Sequence, residues 1–423
     1  MLNFLILAGH GDKLSKNLSA WEETRQIHLS LIEATFVNIS FFKNKTWKFL
    51  LAFAIAFVLS FEFNTVATSQ TTRILLGYGG GASLVQGTWT DSLDISKEAG
   101  LPKPDMQQIW VGKGWEPIWY GCVSGQTTCT STARMKQEGV IPVFILDFIT
   151  ADVQTKKTWA EIEARKSWYF SELDRFAKEV LAKTTGQVYL VLEPEHNLVG
   201  TLRDPALVSS GWDASIPQNF GKLMAEAAQR LRNASRSVTG LRVKVGLAFG
   251  DFNPGTGGLD KFLTTLSAAA PGVEFFGFQV TQGPWRNDGN GCQRLTPAQA
   301  KLSDMPNRII EIANFIKTKL GKSSMIDYLF LMADPNTDWD NGGALVYQEL
   351  RSRQQELLNA GLFGLMHFTQ VDTPLSEPNG YWCDGEKYRG IIAPAAQLAD
   401  YSYQRPFYLK KMGQALGYWI ANR

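Results

Sequence analysis

The sequence predicts an α/β protein folded as a single closed (β/α)₈ barrel, and three observations predict it. From Thr71 onward, short apolar runs alternate with longer amphipathic ones, the pattern of parallel strands that return through helices. Eight such runs can be counted, most of them apolar on both faces, as strands buried between a barrel interior and a helical ring must be. No strand-turn-strand hairpin signal interrupts the series, and no Gly-x-Gly-x-x-Gly opens a helix, so the competing open doubly wound sheet has less support.

The expected strands are Arg73–Gly77, a weak one at Gln107–Val111, Val140–Leu146, Gln187–Leu192, Leu241–Phe249, Glu274–Val280, Met325–Met332 and Leu362–Phe368. Helical periodicity covers Lys157–Lys183, Pro217–Ser237, Leu259–Ala269, Thr296–Leu320, Gly343–Ala360 and Arg405–Ile420. Pro217 and Pro297 stand at or near first-turn positions, and Gly186, Gly240, Gly321 and Gly361 follow helix ends where a left-handed residue is needed. Tyr78-Gly79-Gly80-Gly81 after the first strand lacks dinucleotide-binding spacing and reads as a loop needing close backbone approach.

With 44% hydrophobic and 19% charged residues, the 423-residue chain can bury a large core. Its 42 Lys+Arg against 40 Asp+Glu leave +2, too balanced for the basic stripe of a nucleic-acid binder. Lys43, Lys45 and Lys48 precede an uncharged run from Phe49 to Phe61 and a small-residue stretch, Thr65–Ser69. That order reads as a secretory signal peptide, because the apolar run is shorter than the ~20 residues of a spanning helix. An uncleaved anchor or a buried helix is the alternative. Residues 1–68 are therefore read as a leader, with Met1 upstream of the real start or the leader extended, and 69–423 as the barrel. Export suits the four cysteines. Of three possible pairings, Cys122 with Cys129 staples a short insert and leaves Cys292 with Cys383; no C-x-x-C favours zinc.

In barrel enzymes the site forms at the carboxyl ends of the strands. Asp147, Glu193, Glu195, Asp251 and Asp334 all fall there, as do Gln279, Gln282, His367 and Gln370. An Asp in such a place often caps the next helix. Glu is a poor cap, and Glu193 and Glu195, two apart on one strand with Pro194 between them, are expected to point to one side and repel, raising a pKa as a general acid requires. Tryptophans crowd the same loops: Trp119, Trp212, Trp285, Trp339 and Trp382, together with Trp89 and Trp115. Flat rings beside Asn, Asp and Gln suit sugars, although satellite packing clusters under long loops are the alternative.

A barrel with Glu closing the fourth strand and Trp-lined loops resembles the clan A glycoside hydrolases. The resemblance implies a secreted enzyme that cleaves a poly- or oligosaccharide with a pair of carboxylates and without cofactor or metal. In that clan the acid/base is a Glu preceded by Asn after the fourth strand, and the nucleophile a Glu after the seventh. Here Leu192-Glu193 and Pro194-Glu195 stand at the first place and Asp334 at the second. Glu195 is the first choice for proton donor, with Glu193 as neighbour or replacement, and Asp334 or Asp251 as second carboxylate. Asp147, His196, Asn197, Gln279, Gln282, His367 and Tyr78 are expected to contact the sugar with the tryptophans. Two other readings remain: a non-catalytic carbohydrate-binding barrel, and an enolase-like magnesium enzyme using the acids after strands three to five.

Overall fold

A computed structural model describes residues 73–80, 83–86, 88–149, 159–198, 215–251, 258–287, 289, 291–372, 382–397 and 402–423. These fall in one compact unit, Thr71–Arg423; a second unit, Met1–Gln70, which holds the expected leader, lies outside the described residues. No helix among the described residues is long and apolar enough to cross a membrane.

Eight parallel strands close into a barrel: β1 (Leu75–Gly79), β4 (Met106–Gly112), β5 (Ile141–Asp147), β6 (Gly186–Leu192), β7 (Leu241–Asp251), β8 (Phe275–Gln282), β11 (Ser323–Leu331) and β12 (Leu362–His367). Each neighbours the next in chain order, and β12 pairs with β1 to close the ring. The (β/α)₈ barrel expected from the periodicity is thus the fold. Alternate residues fill the interior with an apolar layer that includes Met106, Val143, Tyr189, Phe275, Met325, Phe363 and Met366. The opposite faces, such as Ile109, Phe144, Leu190, Phe249 and Leu365, join the core beneath the helices. Fully burying each large apolar side chain is worth roughly 1.5–3 kcal/mol.

The helices are α1 (Ser92–Glu98), α2 (Thr130–Glu138), α3 (Trp159–Glu163), α4 (Lys166–Glu179), α5 (Ser215–Arg236), α6 (Leu263–Ala269), α7 (Met305–Leu320), α8 (Asp338–Ser352), α9 (Gln354–Asn359) and α10 (Lys411–Ala421). Gly186, Gly240, Gly321 and Gly361 adopt φ of 91°, 76°, 64° and 90°, the left-handed positions expected after helices. Gly79 makes the anticipated close approach, since a Cβ there would lie 1.8 Å from the Phe368 carbonyl oxygen.

Several boundaries differ from the periodicity. Thr296 and Gln299 do form a reciprocal cap, but Lys301 turns left-handed at φ 52°, and the helix begins only at Met305. The run expected from Arg405 starts as a strand, β15 (Ser402–Leu409), because Tyr403 and Phe407 bury four residues apart, a spacing that a strand with an irregular register shares with a helix. It belongs to a five-stranded sheet of β13 (Thr369–Val371), β14 (Gly390–Gln397), β15, β2 (Ser83–Val85) and β3 (Thr88–Thr90). A hairpin of β9 (Trp285–Asn287) and β10 (Cys292–Arg294) follows the sixth barrel strand. Hairpins therefore do interrupt the series, contrary to expectation, in strands too short to show a period of two.

Both expected disulfides are present: Cys122–Cys129, with Cα atoms 4.2 Å apart, and Cys292–Cys383, 6.0 Å apart. Within the second sheet, Lys410 and Asp372 form a fully buried ion pair at 2.6 Å. Lys410 also donates to the carbonyls of Ala333 and Tyr388, at 2.8 and 3.1 Å, and Asp372 accepts from the Gly390 amide at 2.8 Å.

Candidate active site

The two glutamates after the fourth barrel strand part company. Glu193 has φ 42°, a left-handed turn that only surrounding structure can impose on a non-glycine residue. Its carboxylate is buried and accepts the amides of Phe148 and Ile149, both at 3.2 Å. Burial and the charge of Glu193, to which it hydrogen-bonds, hold the Tyr169 phenol far above its usual pKa. His196 fastens the same turn: its Nδ1 lies 3.2 Å from the Glu193 carbonyl oxygen and its ring stacks on Phe220 at 5.3 Å. Desolvation lowers the pKa of His196 to about 4, so it is neutral at neutral pH. Asn197 continues the strand pairing, donating to the Gly250 carbonyl at 2.9 Å and accepting its amide at 2.8 Å. Glu193, His196 and Asn197 are thus engaged in contacts between neighbouring strand ends.

Glu195, half-buried, accepts a hydrogen bond from the hydroxyl of Tyr328 on β11, across the barrel. Tyr328 faces inward because β11 carries a bulge. Ile326 pairs with Phe278 and Tyr328 with the next residue, Gln279, which leaves Asp327 as the extra residue. Asp327 is fully buried, receives the Gln279 amide at 3.4 Å through Oδ2, and makes no hydrogen bond through Oδ1 among the described residues. Burial drives its pKa well above the carboxylate range, with the charge of Glu195 adding to the effect. Gly277 leaves room for it, since a Cβ there would lie 3.0 Å from Oδ1. Asp147 ends β5 in the inward phase set by Val143 and Ile145, and its charge, like that of Glu195, reaches Tyr328. Polar atoms of Gln108, Gln279 and Thr281 are likewise buried in this upper layer without a hydrogen-bond partner among the described residues.

An aromatic wall stands beside the pair. Trp110 on β4 remains 37% exposed and lies 6.2 Å from Tyr328 and 6.1 Å from Phe368, while Phe368 lies 4.5 Å from Tyr328 and 4.9 Å from Phe330. Neither Trp110 nor Asp327 stands out in the sequence reading. The alternation Met106, Gln108, Trp110 against Ile109, Val111 marks the first as inward, and a lone carboxylate inside an apolar strand marks the second.

The other expected contacts are placed as follows. Asp334 pairs with Arg294 at 3.4 Å, and its charge acts on Asp372 and Lys410. His367 faces the helical side of β12, with Nδ1 2.7 Å from the Tyr347 hydroxyl and Nε2 2.8 Å from the Arg389 carbonyl oxygen. Burial lowers its pKa to about 3. Tyr78 is buried in the outer core, and Gln370 donates to the Ser92 carbonyl at 2.6 Å. Trp339 sits in the first turn of α8, buried, donating to the Leu295 carbonyl at 2.8 Å. Gln282 accepts from Arg286, whose guanidinium covers the buried Trp382 at 5.9 Å, and Arg294 covers the half-buried Trp285 at 5.5 Å. Trp119 is 63% exposed on a 3₁₀ turn. Trp212 and the side chain of Asp251 lie outside the described residues. Among the described residues no three His, Cys, Asp or Glu side chains are grouped to hold a metal ion.

No protein-family model matches the chain, and no curated protein matches it in sequence. Solved structures do match in fold. A β-glucosidase from Thermotoga maritima in complex with castanospermine aligns with TM-score 0.50 at 12% identity, covering 83% of this chain and 98% of that one. The Thermotoga maritima family 1 β-glucosidase in complex with isofagomine lactam aligns with TM-score 0.50 at 13% identity, over 78% and 85%. An engineered protein aligns with TM-score 0.50 at 12% identity, over 83% and 69%. At these identities the likeness establishes that this chain shares the (β/α)₈ barrel of those glucosidases.

Proposed function

We propose that this protein is a secreted glycoside hydrolase whose active centre is the Glu195–Tyr328 pair at the carboxyl mouth of the barrel. The observation that carries the reading is the meeting of these two side chains from the fourth and seventh strands, beside the partly exposed ring of Trp110. Glu195 is the group positioned to move protons, and Trp110 is the flat surface on which a sugar ring stacks. The orphaned polar atoms of Gln108, Gln279 and Thr281 offer hydrogen bonds to sugar hydroxyls. The glucosidases with the same fold lend support, and the leader-like segment and the two disulfides suit export.

The test is a panel of oligosaccharides and aryl glycosides, with products read by mass. Wild type should release sugar from at least one member, and Glu195→Gln should lose at least about 10³-fold in kcat with an unchanged melting temperature. Full activity in Glu195→Gln would remove the centre from this mouth. Calorimetric binding of an oligosaccharide with no product formed would favour a carbohydrate-binding barrel instead.

A further inference from the structure

The seventh strand presents to Glu195 a phenol, with the one carboxylate of that strand, Asp327, sunk beneath it. The bulge at Asp327 produces this exchange. Continued alternation from Met325 would turn residues 327 and 329 inward; the extra residue instead brings Tyr328 and Phe330 into the mouth and sends Leu329 into the outer core. A hydroxyl donating into a carboxylate is the arrangement of a nucleophile with its base, and a tyrosine is an established alternative to a carboxylate nucleophile in glycoside hydrolysis. Asp147 enters from the third strand on the inward phase, close enough for its charge to act on Tyr328.

Resting on the hydrolase reading above, we propose that Tyr328 is the nucleophile, Glu195 its base, and Asp147 the acid that protonates the leaving oxygen. In the first step the Tyr328 oxygen bonds to the anomeric carbon as Glu195 takes the phenolic proton. The bond from that carbon to the leaving oxygen breaks, its electron pair staying on oxygen, which receives the proton of the Asp147 carboxyl. In the second step water attacks the anomeric carbon and gives its proton to Asp147. The sugar–tyrosine bond breaks, and Glu195 returns the proton to the Tyr328 oxygen. Both carboxyl groups end as they began, and the anomeric configuration is retained.

The experiment uses the full chain and p-nitrophenyl glycosides of glucose, galactose, mannose, N-acetylglucosamine and glucuronic acid in both anomers. A 2-deoxy-2-fluoro-2,4-dinitrophenyl analogue of whichever is cleaved then traps the intermediate. The expected results are a retained first product by NMR, a fluorosugar mass on the peptide containing Tyr328, and a loss of about 10³-fold or more in kcat for Tyr328→Phe at unchanged melting temperature. An adduct on any carboxylate, an inverted product, or Tyr328→Phe within tenfold of wild type overturns the proposal while the hydrolase reading stands. If wild type cleaves none of the panel, the hydrolase reading fails and this proposal falls with it.

Discussion

Glu193 and Glu195 show how two identical side chains, two positions apart, are given different work by the backbone between them. Regular alternation would send both to one face, but the left-handed turn at Glu193 aims its carboxylate at the Phe148 and Ile149 amides. A buried acceptor of two backbone amides is expensive to weaken: Glu193→Gln should cost about 1–3 kcal/mol, read as a lower denaturant midpoint, with kcat per folded molecule near wild type. A large loss of kcat at unchanged stability would reverse the roles assigned to the two residues. Trp110 carries the complementary expectation. Its ring is exposed where a buried one would pack, so Trp110→Ala should weaken oligosaccharide binding about tenfold, the equivalent of ~1.4 kcal/mol, in calorimetry, with little change in melting temperature. At this scale the sequence is legible for Glu195, because a Glu after a strand is chemically conspicuous. It is silent on the bulge that turns Tyr328 inward, because one extra residue in an apolar run leaves the composition of the run unchanged.

At the scale of elements, the eight barrel strands are legible because each is long enough to show apolar runs bounded by turns. The second sheet is not, since β2, β3 and β13 have only three residues each, as do β9 and β10 of the separate hairpin, and β15 buries residues at a helix-like spacing. Val371, Ile391, Ile392, Tyr403 and Phe407 pack that sheet into the outer core, and the buried Lys410 adds a polar tie, joining Asp372, at the end of β13, to the Ala333 carbonyl beyond β11. Desolvation pushes Asp372 up to about 6 and Lys410 down, each opposed by the attraction of its partner. Lys410→Met leaves an uncompensated buried carboxyl group and should cost about 3–5 kcal/mol by urea unfolding, of which Asp372→Asn in the same chain should restore part. No restoration in the double variant would show that the cost lies in the lost carbonyl contacts instead. The loop tryptophans follow the same logic: Trp339 is a packing element of α8 and Trp382 lies under Arg286, so placement in loops is a weak guide to a binding surface when those loops carry their own satellite core.

For the whole molecule, buried histidines and buried acids respond to acid in opposite directions. His196 and His367 are held neutral by desolvation, with pKa values lowered from 6.5 to about 4 and about 3, whereas in the unfolded chain they titrate normally. Between pH 6.5 and 4 the unfolded state therefore binds protons that the folded state refuses, and stability falls as pH falls. At pH 4.5 each histidine accounts for about 2.5 kcal/mol of that loss, at 1.36 kcal/mol per unit. Asp372 works the other way. Its pKa, raised from 3.8 to about 6, lets the folded state bind a proton first, which returns about 2 kcal/mol over the same interval. Asp327, whose burial also raises its pKa, acts in the same direction as Asp372, so the net slope is the difference between the histidines and the buried acids. His367→Gln should start less stable at pH 7, having lost the fit to Tyr347 and Arg389, yet lose about 2.5 kcal/mol less than wild type on acidification to pH 4.5. Urea titrations of both proteins at pH 7, 6, 5 and 4.5 would measure the two slopes. Parallel slopes would mean that His367 is already protonated in the folded state and that the barrel's acid sensitivity resides elsewhere.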